Sequence, residues 1–174
     1  MQTFTLVFLA ALVLTTLTQI WLAIRHIRHI RAHQDKVPDD FASQINLVDH
    51  QKAADYTCAK TRAEYPSIVL HLVLLLVFTL GGGLSALSSF WAGWLDDSLM
   101  HGIALIISAF FIMGAAEIPM SYYRTFVIEE QYGFNKMTLG MFLTDLMKQS
   151  LLTLLLGVPL LFCFLWLMEK MSES

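Results

Sequence analysis

The stretch Thr18-Gln19-Ile20-Trp21-Leu22-Ala23-Ile24-Arg25-His26-Ile27-Arg28-His29-Ile30-Arg31 is where the chain changes solvent. From Met1 to Ile24 no side chain is charged, and the core Phe4 to Ile24 is long enough to cross a hydrocarbon layer of roughly 30 Å at about 1.5 Å per residue. Arg25, Arg28 and Arg31 then close the run. A cleaved signal peptide carries its positive charge before the apolar stretch, so this one reads as a retained span with its N-terminus outside. Three further charge-free runs follow, which makes the expected fold class all-α, a polytopic membrane protein with about four transmembrane helices.

Composition agrees. Of 174 residues, 56% are hydrophobic and only 14% charged, with mean hydropathy +0.61, far outside the balance of a soluble domain. The partner implied is membrane lipid; no basic tract suits nucleic acid. Cys58 and Cys163 stand in unlike surroundings without metal spacing, so no disulfide framework is implied.

The spans are expected over about residues 4–24, 68–86, 99–116 and 151–168, in a single membrane domain covering 1–174. Two polar helical and loop sections, 25–67 and 117–150, separate them. In the first, the arginine run can extend the helix beyond the membrane. His26, His29 and His33 share roughly one face there, but the interleaved arginines repel a cation, and the run reads better as a basic anchor at an anionic leaflet. Pro38-Asp39-Asp40 breaks the helix. Asn46 with Asp49 offers a capping box for a second helix toward Arg62, whose modest apolar face suits packing on protein. Within 68–95, Gly81-Gly82-Gly83 predicts a span that is tilted, broken or followed by a re-entrant piece, and whether 87–98 is re-entrant or interfacial stays open. Phe90, Trp91 and Trp94 form an aromatic belt, and His71 and His101 are expected as interhelical donors. Glu117-Ile118-Pro119 is expected to end the third span, with Glu117 either an acid at the inner boundary or a group lining a wet chamber. Thr138 caps a helix running into the fourth span, bent near Pro159.

Charge sets the topology. Arg25, Arg28, Arg31, Lys36, Lys52, Lys60 and Arg62 lie in the first polar section, Arg124, Lys136 and Lys148 in the second, and Lys170 alone in the final tail. By the positive-inside rule both sections are cytoplasmic and both termini are not.

Between these spans lies Ile128-Glu129-Glu130-Gln131-Tyr132-Gly133-Phe134-Asn135-Lys136-Met137-Thr138, a polar turn that nevertheless carries aromatics and so needs a surface to dock on. Gly133 supplies a positive φ and Asn135 a turn or cap. Glu129 and Glu130, taken as bare residues, are expected to be solvated or paired with Arg124 or Lys136. No His-Glu-x-x-His pair, Gly-x-Ser-x-Gly elbow or Walker-type phosphate loop occurs in the sequence, so no catalytic or metal-binding residue is assigned.

This stretch, together with Asn46-Leu47-Val48-Asp49-His50-Gln51-Lys52-Ala53-Ala54-Asp55-Tyr56-Thr57, resembles the N-terminal region of the type I CAAX prenyl endopeptidases, integral-membrane zinc metalloproteases. Glu129, Glu130, Gly133, Phe134, Asn135, Lys136 and Thr138 carry the specific part. The resemblance implies helices around a water-filled intramembrane chamber, with a C-terminal metallopeptidase domain as partner and prenylated or other membrane peptides as substrates. Zinc in that family sits on a His-Glu-x-x-His helix and a further glutamate, C-terminal to the region matched here. No zinc ligand carries over to any residue present, so the peptidase domain is expected to be absent, no cofactor bound, and the chain inactive alone. Two other readings stand beside it: a non-catalytic four-span scaffold, and a small transporter using His26, His29, His33, His71, His101 and Glu117.

Overall fold

The computed structural model describes residues 2–38, 41 and 43–172, and these form an all-α, multi-pass membrane protein with no strand among them. The helices are α1 (Gln2–His33), α2 (Leu47–Arg62), α3 (Glu64–Thr79), α4 (Gly83–Ala92), α5 (Ser98–Tyr123) and α6 (Leu139–Ser172), with a π-helical stretch at Arg124–Glu129. Four stretches are long and apolar enough to cross a membrane: Thr3–His33, Leu47–Thr79, Ser98–Glu129 and Leu139–Met171. Two hydroxyls of the first span are satisfied inside the helix, as hydrocarbon requires. Thr16 and Thr18 donate to the carbonyls of Leu12 and Leu14 at 2.9 and 2.7 Å.

The first, third and fourth spanning stretches outrun the apolar segments read from sequence at both ends, while the second starts earlier, at Leu47, and stops short, at Thr79. α1 continues unbroken through the arginines to His33, and of the expected Pro38-Asp39-Asp40 break the two aspartates lie outside the described residues. At the start of α2, Asn46 Oδ1 accepts from the Asp49 N–H at 2.7 Å, while the Asn46 amide donates to the Asp49 carboxylate at 2.7 Å. Only Ala63, itself in helical conformation, separates α2 from α3, so the polar helix runs on into the span. Pro66 falls in the first turn of α3, where a missing N–H costs nothing.

The chain divides into two compact units, residues 1–73 with 117–135, and residues 74–116 with 136–174. In the first, α1 packs on α2 and α2 on the π-helical stretch. Its buried residues are mostly small: Ala23, Ala54, Cys58, Thr61, Ala63 and Ser67, with Ile27 and Ile128. Small side chains let helix backbones approach where lipid gives no hydrophobic drive between helices.

In the second unit, the run expected as one span over 68–86 is interrupted after Thr79. Gly82 has φ +75°, and a Cβ on Gly81 or Gly83 would sit 2.9 Å from the Val77 carbonyl oxygen. The triplet is therefore a turn that no other residue can make. α4, ten residues long, is too short to cross alone at about 1.5 Å per residue. It is fastened to α5: Trp91 Nε1 donates to Ser108 Oγ at 3.0 Å, and Ser88 Oγ lies 3.1 Å from His101 Nε2. Asp97 caps α5 by accepting from the Leu99 N–H at 2.8 Å. α6 begins with Thr138 Oγ1 accepting from the Met141 N–H at 3.2 Å, and runs through Pro159.

Candidate functional site

Glu117 does not end its helix. α5 continues past Pro119 to Tyr123 and widens into the π-helical stretch, because in hydrocarbon a broken helix leaves more backbone groups unsatisfied than a proline does. That continuation carries Arg124 back onto the acid. Arg124 Nη2 donates to Glu117 Oε1 at 2.9 Å, and Ser67 Oγ of α3 donates to the same oxygen at 2.8 Å. The second oxygen, Oε2, is buried without a hydrogen bond. His71 Nε2 lies 3.5 Å from it on a side chain 55% exposed, a neighbour in charge range rather than a donor. Three segments thus converge on one carboxylate: α3 through Ser67, α5 through Glu117, and the π-helical stretch through Arg124. They border a cavity of about 720 Å³ that α1 closes with Gln19, Leu22, Ala23 and His26.

The aromatic turn finds its surface inside the same unit. Gly133 has φ +71°, reversing the chain so that Tyr132 and Phe134 both reach α2. The Tyr56 ring lies 5.7 Å from that of Tyr132 and 4.7 Å from that of Phe134, and Lys52 Nζ sits 5.4 Å from the Phe134 centroid. Tyr56 also donates a long hydrogen bond of 3.4 Å to Glu129 Oε1, and Asn135 Nδ2 donates to Glu130 Oε2 at 2.9 Å. Arg124, expected from sequence as a partner for these glutamates, is taken by Glu117 instead. Lys136 and Thr138 are exposed.

The two motif segments, separated by seventy-odd residues of chain, are therefore the two faces of one contact. Sequence reading missed Tyr56, Lys52, Ser67 and Arg124 as members of these clusters. Only Arg124 left a signal, since seven residues from Glu117 returns a helix to nearly the same face.

Of the histidines in the first unit, His26 and His71 line the cavity beside Glu117, and the others named meet on α1. His29 and His33 rings are 4.3 Å apart on α1, and His33 Nδ1 contacts the His29 carbonyl at 2.8 Å. Among the described residues, no three His, Cys, Asp or Glu side chains are grouped to hold a metal ion.

Comparison with known proteins places this geometry. Residues 26–174 match the family model described as CAAX prenyl protease N-terminal, five membrane helices. A CAAX prenyl protease 1 homolog of Taenia solium is 39% identical over 72 residues, covering 41% of this chain and 14% of that protein. CAAX prenyl protease 1 of Saccharomyces cerevisiae is 26% identical over 147 residues, covering 79% of this chain and 32% of that protein. The crystal structure of Ste24p from S. mikatae superposes with a TM-score of 0.82 at 23% identity, over 95% of this chain and 39% of that one. The chain thus spans a third or less of the curated relatives' own length.

Proposed function

From the premise that the chain belongs to the CAAX prenyl protease N-terminal family, we infer that it forms part of the wall of an intramembrane chamber and supports the catalytic domain of a zinc-dependent metalloendopeptidase. The observation that carries this reading is the match over residues 26–174, with a fold shared across 95% of the chain but only 39% of the solved relative. The remainder of such a protein leaves room for a peptidase domain. The described residues do not fit zinc, for no metal-holding group occurs among them. In this proposal the metal and the residue that activates water belong to the C-terminal domain, and the substrate is a prenylated or other membrane peptide.

This chain's own residues then act by holding shape. The Gly133 turn, pinned on Tyr56 and Lys52, presents Phe134, Lys136 and Thr138 at the surface as a support for that domain. Sections 25–67 and 117–150 face the cytoplasm and both termini face away, as the distribution of basic residues favours.

The test uses the protein encoded by the whole reading frame, assayed on a farnesylated CAAX peptide in proteoliposomes. Cleavage is expected, lost to a zinc chelator and restored by zinc, and Phe134→Ala should lower turnover while membrane yield is unchanged. A protein that inserts normally yet cleaves nothing, or cleaves equally in chelator, overturns the reading.

A further inference from the structure

On α1 the side chains are sorted by face and by depth. Ala23, Ile27 and Ile30, at i, i+4 and i+7, turn toward the protein; the first two are buried and the third half-buried. The opposite row, Leu14, Trp21, Arg25 and Arg28, is exposed along its whole length, with exposed Leu17 beside it. On a helix of membrane length, what meets such a row is lipid. Thr18 also lies in it, but its hydroxyl donates to the Leu14 carbonyl at 2.7 Å, so that only its methyl group is presented.

Depth along this row is set by three segments that acquire charge at one level. The cavity beside Glu117 brings residues 19–26 of α1 alongside Glu64 of α3, Glu117 of α5 and Arg124. No Asp, Glu, Lys or Arg occurs in α1 before Arg25, in α3 after Glu64, or in α5 before Glu117. That shared level is the edge of the hydrocarbon. On the outward row Trp21 lies just inside it and Arg25 and Arg28 just beyond, with the Arg25 guanidinium 5.4 Å from the Trp21 ring centroid. Among the described residues neither arginine has an acidic partner, and α1 contains no acid. Two permanent positive charges therefore face the headgroups uncompensated, and nearby His29 can only add to their sign.

We propose that this row binds one anionic phospholipid, its phosphate held between the guanidinium groups of Arg25 and Arg28, its glycerol esters against the Trp21 indole, and its acyl chains along Leu14 and Leu17. Guanidinium matches phosphate in geometry as well as in charge. A choline headgroup offers the same phosphate but brings its own cation to the arginines, which an anionic headgroup does not. The site is narrower than the general attraction of a basic segment to an anionic leaflet, because it uses two arginines of three. Arg31, six residues past Arg25, is rotated about 120° from it and lies about 9 Å farther along the helix. The site rests on the membrane fold and survives failure of the peptidase reading.

The test is native mass spectrometry of the chain released from nanodiscs of equal phosphatidylglycerol and phosphatidylcholine. One phosphatidylglycerol is expected to be retained about twentyfold over phosphatidylcholine, from about fivefold for each arginine. Arg25→Gln or Arg28→Gln, each on an exposed side chain, should cut that preference to about fivefold or less at unchanged melting temperature, and Arg31→Gln should leave it within about twofold of the starting value. Should one of the first two variants fail to fold, the other carries the same expectation. Trp21→Leu should lower retention of both lipids alike, since the indole meets ester groups common to them. Excess glycerol 3-phosphate should displace no lipid. Equal losses in Arg28→Gln and Arg31→Gln mean diffuse attraction, and displacement by glycerol 3-phosphate means a site for free phosphate; either result overturns the proposal, as does equal retention of the two lipids.

Discussion

Gly133 and Glu117 show how differently single residues enter this fold. A Cβ at Gly133 would lie 3.7 Å from Lys52 Nζ, ordinary contact, so its replacement is limited by φ +71° and not by space. Gly133→Ala should therefore cost about 1–2 kcal/mol, the left-handed penalty, as a lower melting temperature in detergent. Gly140→Ala, inside α6 with only its own turn's Thr138 nearby at 3.9 Å, should be neutral or stabilising by up to about 1 kcal/mol in the same measurement. Glu117 is the opposite case, a side chain whose value lies wholly in its partners. Glu117→Ala strands Arg124, which is 30% exposed, and should destabilise by about 1.5–3 kcal/mol; His71→Ala removes no hydrogen bond and should cost under about 0.5 kcal/mol. Equal losses in the two variants would mean that His71 does donate to Oε2. The sequence marked Glu117 as costly in a membrane but held no sign of Ser67, which comes from another helix fifty residues away.

At the scale of elements, α2 is the piece whose role was least legible. Its cap and extent follow from Asn46 and Asp49, but its apolar face is too modest to say what it packs against. The answer, the π-helical stretch and the turn after it, depends on two features without a periodic signature: a helix that continues through Pro119, and a left-handed glycine aimed at Tyr56. Proline reads as a stop because in water the freed carbonyl is readily solvated; in hydrocarbon continuing the helix is the better alternative. At Gly81-Gly82-Gly83 the sequence left a tilted, broken or re-entrant span open and the expected span ran through to residue 86; the break after Thr79 selects among these. Tyr56 joins the two motif segments chiefly through its ring, because its hydroxyl bond is long at 3.4 Å. Tyr56→Phe should cost under about 1 kcal/mol and Tyr56→Ala about 3 kcal/mol or more. A Tyr56/Phe134 double-mutant cycle should give a coupling of about 0.5–1.5 kcal/mol, and none if the two rings pack independently.

For the molecule as a whole, hydropathy foretells the class of fold because lipid takes the place of a core. Large apolar side chains such as Phe4, Trp94, Leu155 and Met171 stand 66–79% exposed, and burial is confined to a few mostly small residues. The same fact hides the sites: when every face of a helix is apolar, periodicity no longer points inward, and which polar residues meet depends on helix contacts that composition does not encode. Charge placement survives this loss, since it acts on insertion and not on packing. Ten basic residues fall in the two polar sections and none lies between Leu84 and His101. If that bias orients the chain, a membrane-impermeant maleimide applied to intact cells should label Asp96→Cys and leave Gln44→Cys unlabelled until the membrane is opened. Native Cys163, exposed on α6 within a span, should stay silent throughout, since lipid shields a thiol there from a water-borne reagent. Labelling of Gln44→Cys alone would invert the topology, and with it the side of the membrane assigned to the Gly133 turn in the proposed function.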